Sequence, residues 1–244
     1  MSKFVDLAGK LDMIPHLDLG RSYDAARLHA ELASIEAALF VPFRSKSRHA
    51  GHLAKNWQGL SLIAPGGSLH SDLTEEQYAG RTDCVWTSVA ESCPYIKEVV
   101  TELGGMGQRV RFMRMTAGGS LTWHRHGTEL SMIEGNRSGQ IRPNWYEVIV
   151  HVPVRSNPHV SYEVIETSAY ELSDFAAGIE IHRTNYPEGE AWAFNSANFH
   201  NVFNRSATQD RYSIMLTLDV RMRRTYDIVS KAVGRYEGPL LTGL

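Results

Sequence analysis

His124 and His126 stand two residues apart in Leu121-Thr-Trp-His-Arg-His-Gly127, directly after the glycine-rich turn expected at Ala117-Gly118-Gly119-Ser120. In an extended strand alternate side chains point to one face, so the two imidazoles can aim together, a metal-ligand spacing. A further candidate, His200, comes far along the chain in Asn195-Ser-Ala-Asn-Phe-His-Asn-Val, and beyond it Arg211 opens the strand-like run Arg-Tyr-Ser-Ile-Met-Leu-Thr-Leu-Asp-Val220. A ligand strand, a distant second ligand and a following arginine make a constellation to test first as a non-haem iron site.

Iron(II) that activates dioxygen needs a few fixed ligands on one side and open positions on the other. The usual first strand carries His-x-Asp, and here the Asp position is His126. Imidazole can replace the carboxylate, but it is neutral and leaves the iron one more net positive charge. Three readings follow: a three-histidine site, a two-histidine site completed by water, or a site in which His126 meets substrate. Arg211 supplies the other half of the chemistry. A dicarboxylate cosubstrate that chelates iron through its 2-oxo acid end leaves a distal carboxylate in an apolar barrel, where a fixed guanidinium can bind it through two parallel hydrogen bonds. The plain alternative puts Arg211 at the rim, paired with Asp210 or solvent. His151, inside the apolar run Val148-Ile-Val-His-Val-Pro-Val154, reads either as a satisfied core histidine or as a donor to the cosubstrate carboxylate. His16, His29, His49, His52, His70, His159 and His182 lack competing ligand spacing and are expected on surfaces or helix faces. Trp123, Trp145, Tyr146 and Trp192 are expected in core and rim packing.

The elements that must position these groups are mostly strands. Short runs rich in β-branched or aromatic residues, bounded by Gly, Pro, Asn or Ser, predict strands near 110–115, 120–125, 145–154, 159–166, 170–174, 178–183, 190–195, 200–204 and 211–220. Strands at that spacing argue for a double-sheet jelly roll. Upstream, the pattern predicts a helix from an N-cap at Ser22 with Leu28, Leu32, Ile35 and Leu39 on one face. A strand from Trp57, a Pro65-Gly-Gly turn and a helix after a capping Ser92, closed by glycines, should follow. A last helix is expected over 225–233. The basic run Arg44 to His52 reads as a solvated loop, and Thr128 to Pro143 as a polar, substrate-covering one.

The 244 residues suit one domain: a helical and mixed part over 1–107, a jelly-roll core over about 108–220, and a C-terminal helix and tail over 221–244. A net charge of −2 gives no general attraction to nucleic acid or anionic lipid, so small molecules are the expected partners. No apolar run approaches the roughly 18 residues of a membrane span, and the cytoplasm is the default location. Cys84 and Cys93, the two cysteines, read as reduced thiols.

Taken in order, Arg111-Phe-Met-Arg-Met, Gly118-Gly-Ser-Leu-Thr-Trp-His124-Arg-His, Tyr146-Glu-Val-Ile-Val-His151-Val-Pro-Val, Gly189-Glu-Ala-Trp-Ala-Phe-Asn-Ser-Ala-Asn-Phe-His200-Asn-Val-Phe-Asn and Arg211 resemble the aspartyl/asparaginyl β-hydroxylase family. That family includes bacterial free-amino-acid hydroxylases such as proline cis-4-hydroxylase. The similarity covers about residues 108–220, with a fainter match at Trp57-Gln-Gly-Leu-Ser-Leu. It implies an iron(II)- and 2-oxoglutarate-dependent dioxygenase on a mainly β, cupin-like double-stranded β-helix with peripheral helices. Such an enzyme hydroxylates a C–H bond of an amino acid, a peptidyl residue or a related small polar metabolite, with ascorbate a candidate stimulant and a homodimer a candidate assembly. By position, His124 and His200 match the family's iron-binding histidines, Arg211 its arginine for the far carboxylate, and His151 its histidine near the cosubstrate. Arg111 matches a strand position that can carry another polar cosubstrate contact. The departure is His126, where members carry Asp or Gly. Substrate contacts are expected from among Arg125, Glu129, Arg137, Arg142, Asn144 and Arg155. The rivals are a three-histidine cupin-type oxygenase or isomerase that does not use 2-oxoglutarate, and a non-catalytic jelly roll that binds a small molecule.

Overall fold

The computed structural model describes residues 3–11, 14–42, 55–70, 84–121, 123–124, 147–165, 180–194, 196 and 198–241. In chain order these form α1 (Lys3–Leu11), β1 (His16–Ser22), α2 (Ala25–Ala33), a 3-10 turn (Ala37–Leu39), β2 (Val41–Pro42), β3 (Lys55–Pro65), β4 (Cys84–Trp86), α3 (Ser88–Glu91) and α4 (Pro94–Glu102). The jelly-roll part follows as β5 (Arg109–Ser120), β6 (Glu147–Arg155), β7 (Val160–Ile165), β8 (Ile181–Thr184), β9 (Glu190–Phe194), β10 (His200–Asn204) and β11 (Arg211–Asp219), and α5 (Arg223–Leu241) closes the chain. The expected strand at 170–174 and the expected loops at 44–52 and 128–143 lie outside the described residues, as does His126.

Two helix starts differ from expectation for a local reason. Ser22 is the last residue of β1, and Asp24 caps α2, its carboxylate accepting from the backbone N–H groups of Ala26 and Arg27. The helix stops at Ala33, so Ile35 lies beyond it and Leu39 closes the 3-10 turn. At α4 the capping residue is Cys93, with Pro94 in the first turn, because the Ser92 hydroxyl donates back to the Val89 carbonyl at 2.8 Å. The acceptor that Cys93 lacks comes from α2: the Glu31 carboxylate takes the N–H groups of Tyr95 and Ile96 at 2.7 and 2.8 Å. The expected glycine stop is present at Gly104, whose φ is +86°. The elements α1, β1, β2, β4 and α3 are additions to those expected, and the last helix is longer than 225–233.

The strands run antiparallel in the order β1-β9-β6-β11-β5-β10-β7-β8, with β3 also on β5. Strand alternation gives the sheet two faces. One face carries Val110 and Phe112 of β5, Val148, Val150 and Val152 of β6 and Ile214 and Leu216 of β11 into a core with α2, α4 and α5. The other face carries Met113, Met115, Ile149 and Met215 inward, against Tyr162, Val164 and Val202 of β7 and β10. The fold is mainly β with peripheral helices, a double-stranded β-helix of the jelly-roll kind. Among the described residues no helix is long and apolar enough to cross a membrane. Both cysteines are free thiols, with Cys93 buried and Cys84 half-buried.

The Gly118-Gly119 stretch was expected to be a turn between two strands, and here the structure differs. β5 runs through it as one strand: Met115 pairs with Arg211 of β11, while Ser120 pairs with Phe203 of β10. Against β3 the pairing jumps from Met115↔Trp57 to Ser120↔Lys55, so the extra residues of β5 bulge. Gly118, at φ +68°, supplies the bend, and its N–H is held by the Ser206 carbonyl at 2.9 Å. The bulge moves β5 from one sheet of the barrel to the other.

Candidate active site

Past the bulge, the chain of β5 lies along β10. The Leu121 N–H donates to Val202, and His124 and His200 exchange both backbone hydrogen bonds, at 3.1 and 2.8 Å. Directly opposed residues of an antiparallel pair hold their side chains close, and the two imidazole centroids are 4.3 Å apart. His200 is buried, and its Nδ1 lies 2.9 Å from the Asn198 carbonyl. A carbonyl only accepts, so Nδ1 carries the hydrogen and Nε2 carries the lone pair, the arrangement in which an imidazole binds a metal. Among the described residues no set of three His, Cys, Asp or Glu side chains converges as a metal cage. The donors there are the pair His124 and His200.

Arg211 is 1% exposed, although it begins its strand. The rim pairing with Asp210 does not form, because Asp210 is engaged elsewhere: its carboxylate accepts from Arg114 at 2.7 and 3.0 Å and from the Ala117 N–H at 3.1 Å. Register sends Arg211 inward with Ser213 and Met215, while Tyr212 turns to the helical side. Inside, Nη2 of Arg211 donates to Nδ1 of His151 at 3.2 Å and to the hydroxyl of Tyr162. The guanidinium carbon lies 5.0 Å from the Tyr162 ring centroid. Among the described residues no carboxylate reaches Arg211, and its buried Nε has no hydrogen-bond partner. A buried guanidinium with an unmatched N–H fits an anionic ligand group, whose oxygens would complete it.

His151 is buried on the same inner face, with Ser213 Oγ 3.3 Å from its Nδ1. Phe194 joins this cluster to the histidine pair, its ring centroid 5.5 Å from that of His151 and 4.6 Å from that of His200. Arg111 is buried on the inner face of β5, and Met215 pairs with it on one side and with His151 on the other. Arg155 is not brought to the site: a shift in register turns it with Tyr212, whose ring it approaches at 5.7 Å, and it is exposed. Arg125, Glu129, Arg137, Arg142 and Asn144 lie outside the described residues.

Two residues of the inner wall, Tyr162 and Tyr186, carry roles that the sequence did not suggest, while Trp192 packs as expected. Tyr162 meets Arg211, Tyr186 stacks on Tyr162 with centroids 3.9 Å apart, and Trp192 is parallel to Tyr186 within 10° at 5.1 Å. His16, expected on a surface, reaches the fully buried Tyr186 with Nδ1, 2.7 Å from its hydroxyl. Burial pushes the Tyr186 phenol well above its ordinary range, and the Tyr162 hydroxyl adds to this while Arg211 opposes it. Burial likewise lowers His16, with the His182 carbonyl hydrogen bond opposing.

A family model described as aspartyl/asparaginyl β-hydroxylase matches residues 24–222, from the cap of α2 to the residue before α5. The chain belongs to that family. It is therefore an enzyme, an iron(II)- and 2-oxoglutarate-dependent dioxygenase of the hydroxylase kind. The match reaches well upstream of 108, so α2, α3, α4 and β3 are part of the β-hydroxylase pattern, whereas α1 and α5 lie outside the matched residues. Among solved structures, the chain is similar to a prolyl hydroxylase in complex with a hypoxia inducible factor oxygen degradation domain peptide fragment from Trichoplax adhaerens. The identity is 10% and the TM-score 0.51, over 92% of this chain and 93% of that one. It is also similar to AviO1 from Streptomyces viridochromogenes, at 8% identity and a TM-score of 0.50, over 90% of this chain and 96% of the other. At such identities the likeness is one of fold. No curated protein sequence gives a significant match.

Proposed function

We propose that this β-hydroxylase hydroxylates a C–H bond of a free amino acid, a peptidyl residue or a related small polar metabolite, with His124 and His200 holding iron(II) and Arg211 binding the far carboxylate of 2-oxoglutarate. The observation that carries this reading is the buried Arg211 guanidinium, unmatched by any described carboxylate and joined through His151 and Phe194 to the opposed histidine pair. When bound, iron(II) with 2-oxoglutarate and dioxygen supplies the oxidising power: the cosubstrate leaves as succinate and carbon dioxide, and one oxygen atom enters the substrate C–H bond.

The chain's own contribution is placement. The backbone bridge between His124 and His200 fixes two imidazoles before any ligand arrives, which reduces the ordering that binding would otherwise require. Arg211 donates from a fixed fork and neutralises the distal carboxylate in a dry interior. Since Arg211 can only donate, the Nδ1 of His151 accepts and its Nε2 carries the hydrogen. Arg111, on the same face across Met215, is assigned to a further polar contact with the cosubstrate. His126 completes the metal site, or leaves that position to water, or meets substrate.

The test combines metal analysis with succinate formation against a panel of amino acids and short peptides. Succinate in step with a hydroxylated product is the expected result, and oxygen uptake without succinate would refute the assignment of Arg211. His126→Asp separates the readings of the third position. Unchanged iron affinity together with unchanged 2-oxoglutarate decarboxylation removes the three-histidine version.

A further inference from the structure

β1 and β8 are the two ends of the strand path, and no ladder pairs them among the described residues. A side chain spans that seam. Nε2 of His16 on β1 lies 3.2 Å from the His182 carbonyl on β8, and Nδ1 lies 2.7 Å from the Tyr186 hydroxyl. The carbonyl can only accept, so Nε2 carries the hydrogen and Nδ1 takes the one from the phenol. Tyr186 in turn stacks on Tyr162, and Tyr162 accepts from Nη2 of Arg211. A continuous line of contacts therefore runs from the seam of the barrel to the buried guanidinium.

We propose that His16 is a positioning residue for 2-oxoglutarate: as a neutral imidazole it fixes Tyr186, and through it the Tyr162 wall that orients Arg211, and it releases that wall when protonated. The proposal rests on the reading that Arg211 binds the far carboxylate.

The physical step is a conflict between donors. A proton added at Nδ1 faces the hydroxyl hydrogen of Tyr186, which must turn away. Tyr186 is fully buried, and among the described residues its hydroxyl has no second acceptor. The surrounding groups do not favour the cation either. His182 across the seam is a second imidazole, although Glu180 lies 4.0 Å from it. Phe194, opposite on β9, is uncharged, and Arg211 stands behind the two tyrosines. Asp18, two residues along β1, is exposed and accepts from the Gly20 N–H, while Arg235 of α5 bonds the Asp18 carbonyl. Burial already holds the imidazolium below its ordinary range.

The experiment titrates 2-oxoglutarate into the manganese(II)-loaded, oxygen-free enzyme by calorimetry between about pH 8 and about pH 5.5, the span in which imidazole titrates. The wild type is compared with His16→Gln, whose amide both donates and accepts but does not titrate. Loss common to both forms reports the metal-binding histidines. The wild type is expected to lose about three- to tenfold more affinity than His16→Gln across this span, while the two agree within about twofold at the alkaline end. Tyr186→Phe is expected to bind about tenfold more weakly than the wild type at the alkaline end and to converge with it on acidification, because its Tyr162 wall is unanchored at every pH. Parallel loss in wild type and His16→Gln overturns the proposal and leaves the cosubstrate reading standing. Absence of 2-oxoglutarate binding in every metal-loaded form overturns both. A second readout needs no variant of His16. Trp192 is parallel to Tyr186, so the emission difference between wild type and Trp192→Phe should change at the same pH as 2-oxoglutarate affinity, and an affinity step without that change overturns the proposal.

Discussion

Nη2 of Arg211 lies 3.2 Å from Nδ1 of His151, and both side chains are buried inside the barrel although they come from different strands, β11 and β6. That contact decides the imidazole's tautomer, since a guanidinium offers only hydrogens. It also holds inside the barrel a strand-opening arginine that has an acidic neighbour.

Arg211→Met is expected to raise the KM for 2-oxoglutarate at least about a hundredfold, or about 2.7 kcal/mol, within the range for truncating one member of a buried charged pair. Arg211→Lys should fall between, because a point charge cannot fork to two oxygens. Saturation kinetics in 2-oxoglutarate check both. A shift below about threefold in a folded Arg211→Met protein would mean that the carboxylate binds elsewhere.

His200→Gln should abolish stabilisation by metal. At a manganese(II) concentration about a hundred times its Kd, the wild type gains about 2.7 kcal/mol, visible as a rise in melting temperature. The variant is expected to melt at the same temperature with and without the metal. An undiminished rise would remove His200 from the ligand set.

The two glycines of the β5 bulge should respond differently to alanine. A Cβ on Gly118 meets nothing within 4 Å, so Gly118→Ala carries only the conformational cost of φ +68°, about 1–2 kcal/mol. A Cβ on Gly119 would stand 2.5 Å from Met115 Cγ and 2.7 Å from the Thr116 carbonyl, so Gly119→Ala must move the bulge that delivers His124. Denaturant unfolding and kcat should both show Gly119→Ala as the more damaging change. Equal effects would refute the account of this corner.

Stability should decline in mild acid. Burial lowers the His16 pKa in the folded protein, so between the ordinary histidine value and that lower one the unfolded chain holds more protons than the native. The His16 contribution is complete above about pH 6.5 and is lost as pH falls through the folded value. Melting temperatures of wild type and His16→Gln should converge on acidification, and curves that stay parallel would deny His16 any part in the acid loss.

The candidate site was legible in this sequence where chemistry and local pattern coincide. An imidazole inside the apolar run of β6, a pair of histidines after a strand, and an arginine opening β11 stand out because charged and titratable groups in strands must be satisfied. Short runs rich in β-branched or aromatic residues between turn-forming residues likewise exposed most of the barrel strands, since such composition and punctuation are properties of neighbours in sequence.

What only the tertiary structure decided is which strands lie side by side. Gly118-Gly119 read as a turn until Met115 was seen beside Arg211 and Ser120 beside Phe203. Asp210 was an open partner for Arg211 until Arg114 took it. His16 looked like a surface residue because its partners, Tyr186 and His182, stand far along the chain. Composition and periodicity describe a residue together with its near neighbours, whereas burial, tautomer and ligand convergence arise from contacts between distant segments, and those exist only once the sheet has closed.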